Sequence, residues 1–188
     1  PVDVGLHYFN GYNREPQFVV AQQGSETILT PTYEIMNQFG LDLQVTLGST
    51  LYKTEAIYRL TDPEDFFSFA SGLEHTFSNV NGKGRDIGLL SEFIWDSRGN
   101  TATVPFQKDV FVGSRLAFND ISDTQLLVGA LFDIDNGTTF FNLEATRQFG
   151  SNYLLSVKSR GFSNVSDTDL FSSFRDDTYL EMELRYYF

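Results

Sequence analysis

Apolar and polar residues alternate along most of this chain. In the last ten residues Leu180, Met182, Leu184, Tyr186 and Phe188 alternate with Tyr179, Glu181, Glu183, Arg185 and Tyr187. Upstream, Tyr33, Ile35, Phe39, Leu41, Leu43 and Val45 share one parity, against Glu34, Gln38, Gly40, Asp42 and Gln44 on the other. Tyr52, Ala56, Tyr58 and Leu60 alternate with Lys53, Glu55 and Arg59, and Val110, Val112, Leu116 and Phe118 with Gly113, Arg115 and Ala117. Successive side chains of a strand point to opposite faces, so a period of two predicts strands with one apolar and one polar face. Ten such segments are expected, near residues 2–9, 32–46, 50–60, 66–77, 86–96, 109–119, 124–134, 139–149, 153–163 and 178–188, and no helix.

The connections between these segments are unequal. Gaps 10–31, 97–108 and 164–177 are long, whereas 47–49, 120–123 and 150–152 are short, with 78–85 intermediate. Counted along the chain, the long gaps fall on one end of the strands and most short ones on the other. Ten strands then put both termini at the short-turn end. Turn chemistry predicts registers as well. Asn136-Gly137 is a strong two-residue hairpin signal, and it would pair Asp135 with Thr138, Phe132 with Phe141, Ala130 with Leu143 and Val128 with Ala145. The same turn would pair Asp133 with Phe140, Leu131 with Asn142 and Gly129 with Glu144.

Alternation fits two architectures. A soluble β-sandwich or lipocalin-like binder turns its apolar faces inward, and an outer-membrane barrel turns them outward to lipid. The polar face favours the barrel. Besides its charges it holds Gly40, Ala70, Gly72, Gly88, Gly113, Ala117 and Gly129, small residues suited to a crowded enclosed lumen. The apolar face carries Tyr52, Tyr58, Phe77, Trp95, Phe118, Phe149, Tyr153, Tyr186 and Phe188 near strand ends, as aromatic girdles do. The expected fold is therefore all-β: one antiparallel up-and-down transmembrane β-barrel over residues 1–188, about ten strands in this chain, with both termini periplasmic. The chain enters a strand pattern directly from Pro1, as a mature protein would, or as the C-terminal part of a larger barrel would. Closure within this chain requires the first strand, with Val4, Leu6 and Tyr8 on its apolar face, to pair with the last.

Composition narrows the chemistry. The 188 residues include no Cys and two His, so disulfides, thiolate metal sites and His clusters are not expected. A net charge of -12 argues against nucleic acid as a partner, because phosphate binding needs Lys and Arg. The longest apolar run, Leu126–Phe132, has seven residues, far short of a membrane-spanning helix. No cofactor and no metal are expected.

The final strand, with Leu184, Tyr186 and Phe188 on one face, resembles the C-terminal signal read by the bacterial barrel-assembly machinery. Across the chain, the stretches QFGLDLQVTLGSTLYKTEAIYR, GLEHTF, DIGLLSEFIWDSRG, PFQKDVFVGSRLAFND, DTQLLVGALFDIDNGTTFFNLEATR and LRYYF are similar to an uncharacterised, porin-like family of Gram-negative outer-membrane β-barrel proteins. That resemblance implies the fold and an outer-membrane location, with lipid and the assembly machinery as partners, and no catalytic residue.

The candidate chemistry lies in a charged lumen formed by Asp42, Lys53, Glu55, Arg59, Glu74, Glu92, Arg115, Glu144, Lys158, Arg160, Glu181, Glu183 and Arg185. Expected cross-strand pairs are Asp42 with Lys53, Lys53 with Glu74, Lys158 with Glu183 and Arg160 with Glu181. Such charges either satisfy one another in an enclosed interior or select small solutes and ions at a constriction. His7, near Asp3 on the polar face, and His75, on the apolar face, have no partner arrangement that suggests an enzyme. Ser166-Asp167-Thr168-Asp169 lacks the spacing of a calcium loop, and Asp96–Asn100 (DSRGN) reads as a turn. The expected function is a small porin-like channel with a charged lumen. The alternatives are a non-conducting structural, adhesive or partner-binding barrel acting through its long loops, or a soluble β-fold.

Overall fold

A computed structural model describes residues 1–62, 64–167 and 169–188. Its strands are β1 (Val2–Tyr12), β2 (Gln17–Gln23), β3 (Glu26–Thr32), β4 (Ile35–Leu47), β5 (Thr50–Leu60), β6 (Phe66–Val80), β7 (Arg85–Asp96), β8 (Lys108–Ala117), β9 (Gln125–Asp133), β10 (Thr139–Phe149), β11 (Tyr153–Ser163) and β12 (Tyr179–Tyr186). Short 3-10 turns occupy Gly99–Thr101 and Leu170–Phe174. Ten strands form one antiparallel up-and-down sheet in the order β1-β4-β5-β6-β7-β8-β9-β10-β11-β12. The β1–β12 pairing that closure within the chain would require is not made: the sheet is open, with those two strands as its edges.

The ten expected segments correspond to the ten strands of this sheet. The hairpin β2–β3, within the long 10–31 connection, forms a separate two-stranded sheet. Its base is tied to the β5–β6 connection by Gln17 Nε2, which donates to the Asp62 carbonyl at 2.7 Å. The connections at the Tyr12, Leu60 and Asp96 end include all the long ones, and the chain termini lie at the opposite, short-turn end.

Four expected registers are corrected, each by two residues. The β4–β5 turn is Gly48-Ser49, so Leu47 faces Thr50, Asp42 faces Glu55, and Lys53 faces Gln44 rather than Asp42. Gly48 takes φ 59°, which a two-residue hairpin needs at its first central position and which Gly adopts freely. Across β5–β6, Lys53 faces Gly72, and Glu74 faces Leu51. Across β11–β12, Lys158 faces Glu181, Ser156 faces Glu183 and Arg160 faces Tyr179. Across β9–β10, Phe132 faces Thr139 and Ala130 faces Phe141, because residues 134–138 form a longer loop than Asn136-Gly137 alone implied. The cause is Asp133: its Oδ1 accepts the Asp135 and Asn136 amides at 2.8 Å, and its Oδ2 accepts Asn136 Nδ2 at 2.9 Å. Only Gly137 in this loop has positive φ (77°), whereas a two-residue type I′ turn would need it at Asn136 too. A shift of two preserves side-chain parity, so every residue keeps its expected face.

The two faces of the sheet differ sharply. One carries Leu6, Phe39, Tyr52, Leu73, Leu89, Val112, Val128, Phe141, Tyr153 and Met182, all exposed, with Leu6 at 79% and Met182 at 66%. No second sheet covers it: β2 and β3 contact each other, and the elements of the large sheet contact their ladder neighbours. The apolar residues that are buried, Met36, Phe66 and Leu131, belong to the charged face, and Ala102 to a loop above it. The core, such as it is, therefore lies among the charged positions and under the long loops.

Candidate functional site: the charged face

Every charged residue singled out from the sequence has the parity of this face. Asp42 and Lys53 come from β4 and β5, Glu74 and Glu92 from β6 and β7, Arg115 from β8, and Glu144, Lys158 and Glu181 from β10, β11 and β12. The corrected registers change which of them meet. Arg115 Nη2 reaches Glu74 Oε1 at 3.1 Å across the intervening strand. It passes over Gly88, where a Cβ would stand 3.8 Å from both the Arg115 Cβ and the Glu74 Oε1. Arg160 Nη2 lies 3.6 Å from Glu144 Oε1 while its Nε donates to Asn142 Oδ1 at 3.1 Å. Arg185 pairs within its own strand, two N–H groups on the Glu183 carboxylate at 2.8 and 2.6 Å. His7 Nδ1 stands 3.6 Å from Asp42 Oδ2, and Gly5 leaves room for that carboxylate. Lys53, Glu55, Glu92, Lys158 and Glu181 form no ion pair among the described residues, and Arg59 binds Gln38 Oε1 through Nε and Nη2 at 3.0 and 2.8 Å. Lys53 borders two clefts, one with Asp42 and Glu55 and one with Glu74 and Glu92.

Small residues shape this face as the sequence implied. Gly113 and Gly129 stand opposite each other, and the Phe111 ring lies over both, 2.8 and 2.6 Å from where their Cβ atoms would be. The ring can lie flat on the sheet only because those two positions lack side chains.

The long-loop end adds groups that no local sequence pattern marks. The Arg98 guanidinium lies 3.6 Å from the Phe66 ring centroid and binds Asp96 at 2.9 and 2.7 Å. Its hydrogen bonds with Asp96 hold Arg98 above the usual guanidinium range. DSRGN is thus a turn pinned by its own Asp–Arg pair. Asp109, 1% exposed, faces Asp133 across the ladder, and its Oδ1 has no hydrogen-bond partner among the described residues. Thr138, 2% exposed, donates to Asp169 Oδ2 at 2.5 Å, and Asp169 Oδ1 caps the Leu170–Phe174 turn by accepting the Phe171 amide at 2.8 Å. Asp167 accepts from Arg175 Nη2 at 2.5 Å. These two acids of the Ser166–Asp169 stretch fasten the loop; Thr168 lies outside the described residues. The segment is drawn onto the charged face, where Phe171 packs 5.4 Å from Phe162 and 5.7 Å from Phe106. One signal for this was present in the sequence: Phe140 and Phe162 are aromatic at charged-face parity.

Leu184 and Tyr186 lie on the exposed apolar face of β12, with Phe188 just beyond its end. Tyr186 stacks 5.0 Å from Tyr153 and 6.3 Å from Phe188. His75 is on the same face near the short turns, its Nδ1 2.7 Å from Thr50 Oγ1 and its ring 4.4 Å from Phe77. Comparison with protein families, with curated proteins and with solved structures finds no match to this chain.

Proposed function

We propose that the ten-stranded sheet is the wall of an outer-membrane β-barrel, complete or a section of it, acting as a small porin-like channel with a charged lumen. The observation that carries this is the bare apolar face opposite a charged, glycine-rich one. In water such an apolar surface is unfavourable by roughly 25 cal/mol per Å² and marks an interaction surface. In lipid it is the expected exterior.

Two further features support the reading. A strand of 11 residues such as β5 or β10 is about 36 Å long, and at a 45° tilt it spans about 25 Å, the height of an outer-membrane apolar band. The sheet is also strongly sheared. Thr46 lies beside Pro1, its amide donating to the Pro1 carbonyl at 3.0 Å. Following the rungs from Thr46, one passes Leu51, Glu74, Leu90, Gly113, Gly129, Asn142 and Arg160 and arrives at Tyr179. The foot of β1 is thus level with the head of β12. Bringing heads together requires a slide of about 10–14 residues, the stagger that ten strands tilted at 35–45° accumulate. An even slide keeps Leu6 and Tyr8 on the same face as Leu184 and Tyr186.

On this reading Leu184, Tyr186 and Phe188 form the signal presented to the assembly machinery, and the termini are periplasmic. Small solutes and ions pass along the charged face. Acids already outnumber bases there, and Asp3, Asp109 and Asp133 widen the excess, which favours cations. The test is single-channel conductance of the folded chain in a planar bilayer. Discrete steps with cation-selective reversal potentials, weakened by Glu74→Gln or Glu181→Gln, are expected. An inserted chain that stays silent would remove the channel and favour the non-conducting barrel, which the packing of the 169–178 segment onto the charged face already recommends as the second reading. A chain that folds and stays soluble without detergent would remove the membrane itself.

A further inference from the structure

The geometry points to a binding site for small aromatic or alkyl ammonium ions, in a cleft between the 169–178 segment and the charged face of β10 and β11. The cleft has a volume of about 740 Å³. Its wall is aromatic: Phe140 and Phe162 from the strands, Phe171 and Phe174 from the 3-10 turn, and Tyr179 at the head of β12. Phe162 is the centre of the cluster, 5.1 Å from Phe140, 5.4 Å from Phe171 and 6.5 Å from Phe174. Packing of the turn accounts for Phe171 and Phe162. It does not account for Phe174 and Tyr179, which are left 50% and 40% exposed.

The sign of the ligand follows from the charges at the rim. Asp176 and Asp177 line the cleft, and neither carboxylate has a hydrogen-bond or ion-pair partner among the described residues. Arg160 also lines it, but its Nε is held by Asn142 and its Nη2 lies by Glu144, so its charge is matched on the strand side. The neighbouring cation, Arg175, is taken by Asp167. The cleft therefore offers aromatic ring faces, whose quadrupoles attract cations, beside two unmatched negative charges. An organic ammonium satisfies both features. A carboxylate would meet repulsion from both acids, and a neutral ring would leave them unused. The segment forming the cleft is positioned by the buried Thr138–Asp169 hydrogen bond, so the site exists before any ligand arrives. The site belongs to the folded loop and requires neither conduction nor closure.

The test uses the full folded chain and titration calorimetry with three probes of similar shape: benzyltrimethylammonium, phenylacetate and benzyl alcohol. Benzyltrimethylammonium is expected to bind, and the other two to bind at least about tenfold more weakly. Asp176→Asn with Asp177→Asn, both exposed and so harmless to folding, should weaken the ammonium about fivefold to tenfold and leave benzyl alcohol unchanged. Phe174→Ala should weaken it by a similar factor. Equal binding of phenylacetate, ammonium binding indifferent to the double Asn variant, or no binding of the ammonium by a correctly folded chain each overturns the assignment. Because binding is read without a bilayer, its failure is distinct from failure of the channel.

Discussion

Leu73 offers the sharpest test of what touches the apolar face. It stands midway along β6, is 47% exposed, and its neighbours in the flanking strands are Tyr52 and Ser91. If that face meets hydrocarbon, Leu73→Lys removes roughly half of a Leu transfer term, about 1 kcal/mol, and adds the cost of holding an ammonium near the bilayer centre. Together these destabilise the folded state by about 2–4 kcal/mol. If the face meets water, the same substitution stays within about 0.5 kcal/mol, as exposed substitutions usually do. Leu47, 70% exposed at the end of β4, is the control, because a cationic residue near the membrane interface costs only about 0–1 kcal/mol. Trp95, the single tryptophan, packs 6.1 Å from Phe67 and 5.9 Å from Phe69, so its emission reports unfolding. Urea titration in lipid vesicles, read at Trp95, should give Leu73→Lys a loss several times that of Leu47→Lys. Equal losses for the two variants would refute the argument that a slab of hydrocarbon covers this face.

Other expectations follow from the charged face and the turns. Gly129→Ala places a Cβ against the Phe111 ring and should destabilise by about 1–3 kcal/mol, and adding Phe111→Ala should recover part of the loss in the same urea assay. Asp109→Asn replaces a buried carboxylate, which has a partnerless oxygen and faces Asp133, by a neutral amide; its urea midpoint at neutral pH should rise. Asp120, in the β8–β9 turn, accepts the Thr124 amide at 2.8 Å and the Thr124 hydroxyl at 2.9 Å, which hold it below the usual carboxylate range. The order of turn support therefore persists above the usual carboxylate pKa and fades only as pH falls through the lowered one. Carbon-detected NMR titration should find this carboxyl titrating below the usual aspartate range, and Thr124→Ala, which removes the hydroxyl bond, should move it upward toward that range.

The faces of this sheet were legible in the sequence, and the partners were not. Parity along a strand survives any register error of two, so Asp42, Lys53 and Glu74 sit on the expected face although none of the three meets another as anticipated. Asp42 and Lys53 were parted by the position of the turn, Gly48-Ser49, one residue later than their pairing requires, and across β9–β10 the Asp133 side chain closes a longer loop from outside it. The β2–β3 hairpin escaped notice because its strands, nearly all exposed, bury no face and so need no strict alternation. The contacts of the 169–178 segment were equally hidden. Thr138 and Asp169 are 31 residues apart, and no local pattern announces that a hydroxyl will meet that carboxylate.

The two unpaired edges, β1 and β12, bear on how the protein reaches its final state. Each presents a row of amides and carbonyls with no ladder partner, ready for any complementary strand. If the barrel proposed above closes within one chain, joining its two margins is first order in protein, whereas joining margins of different chains is second order. Productive refolding is then a kinetic race decided by dilution: yield should fall as chain concentration rises, and the lost material should be cross-strand oligomer rather than unfolded monomer.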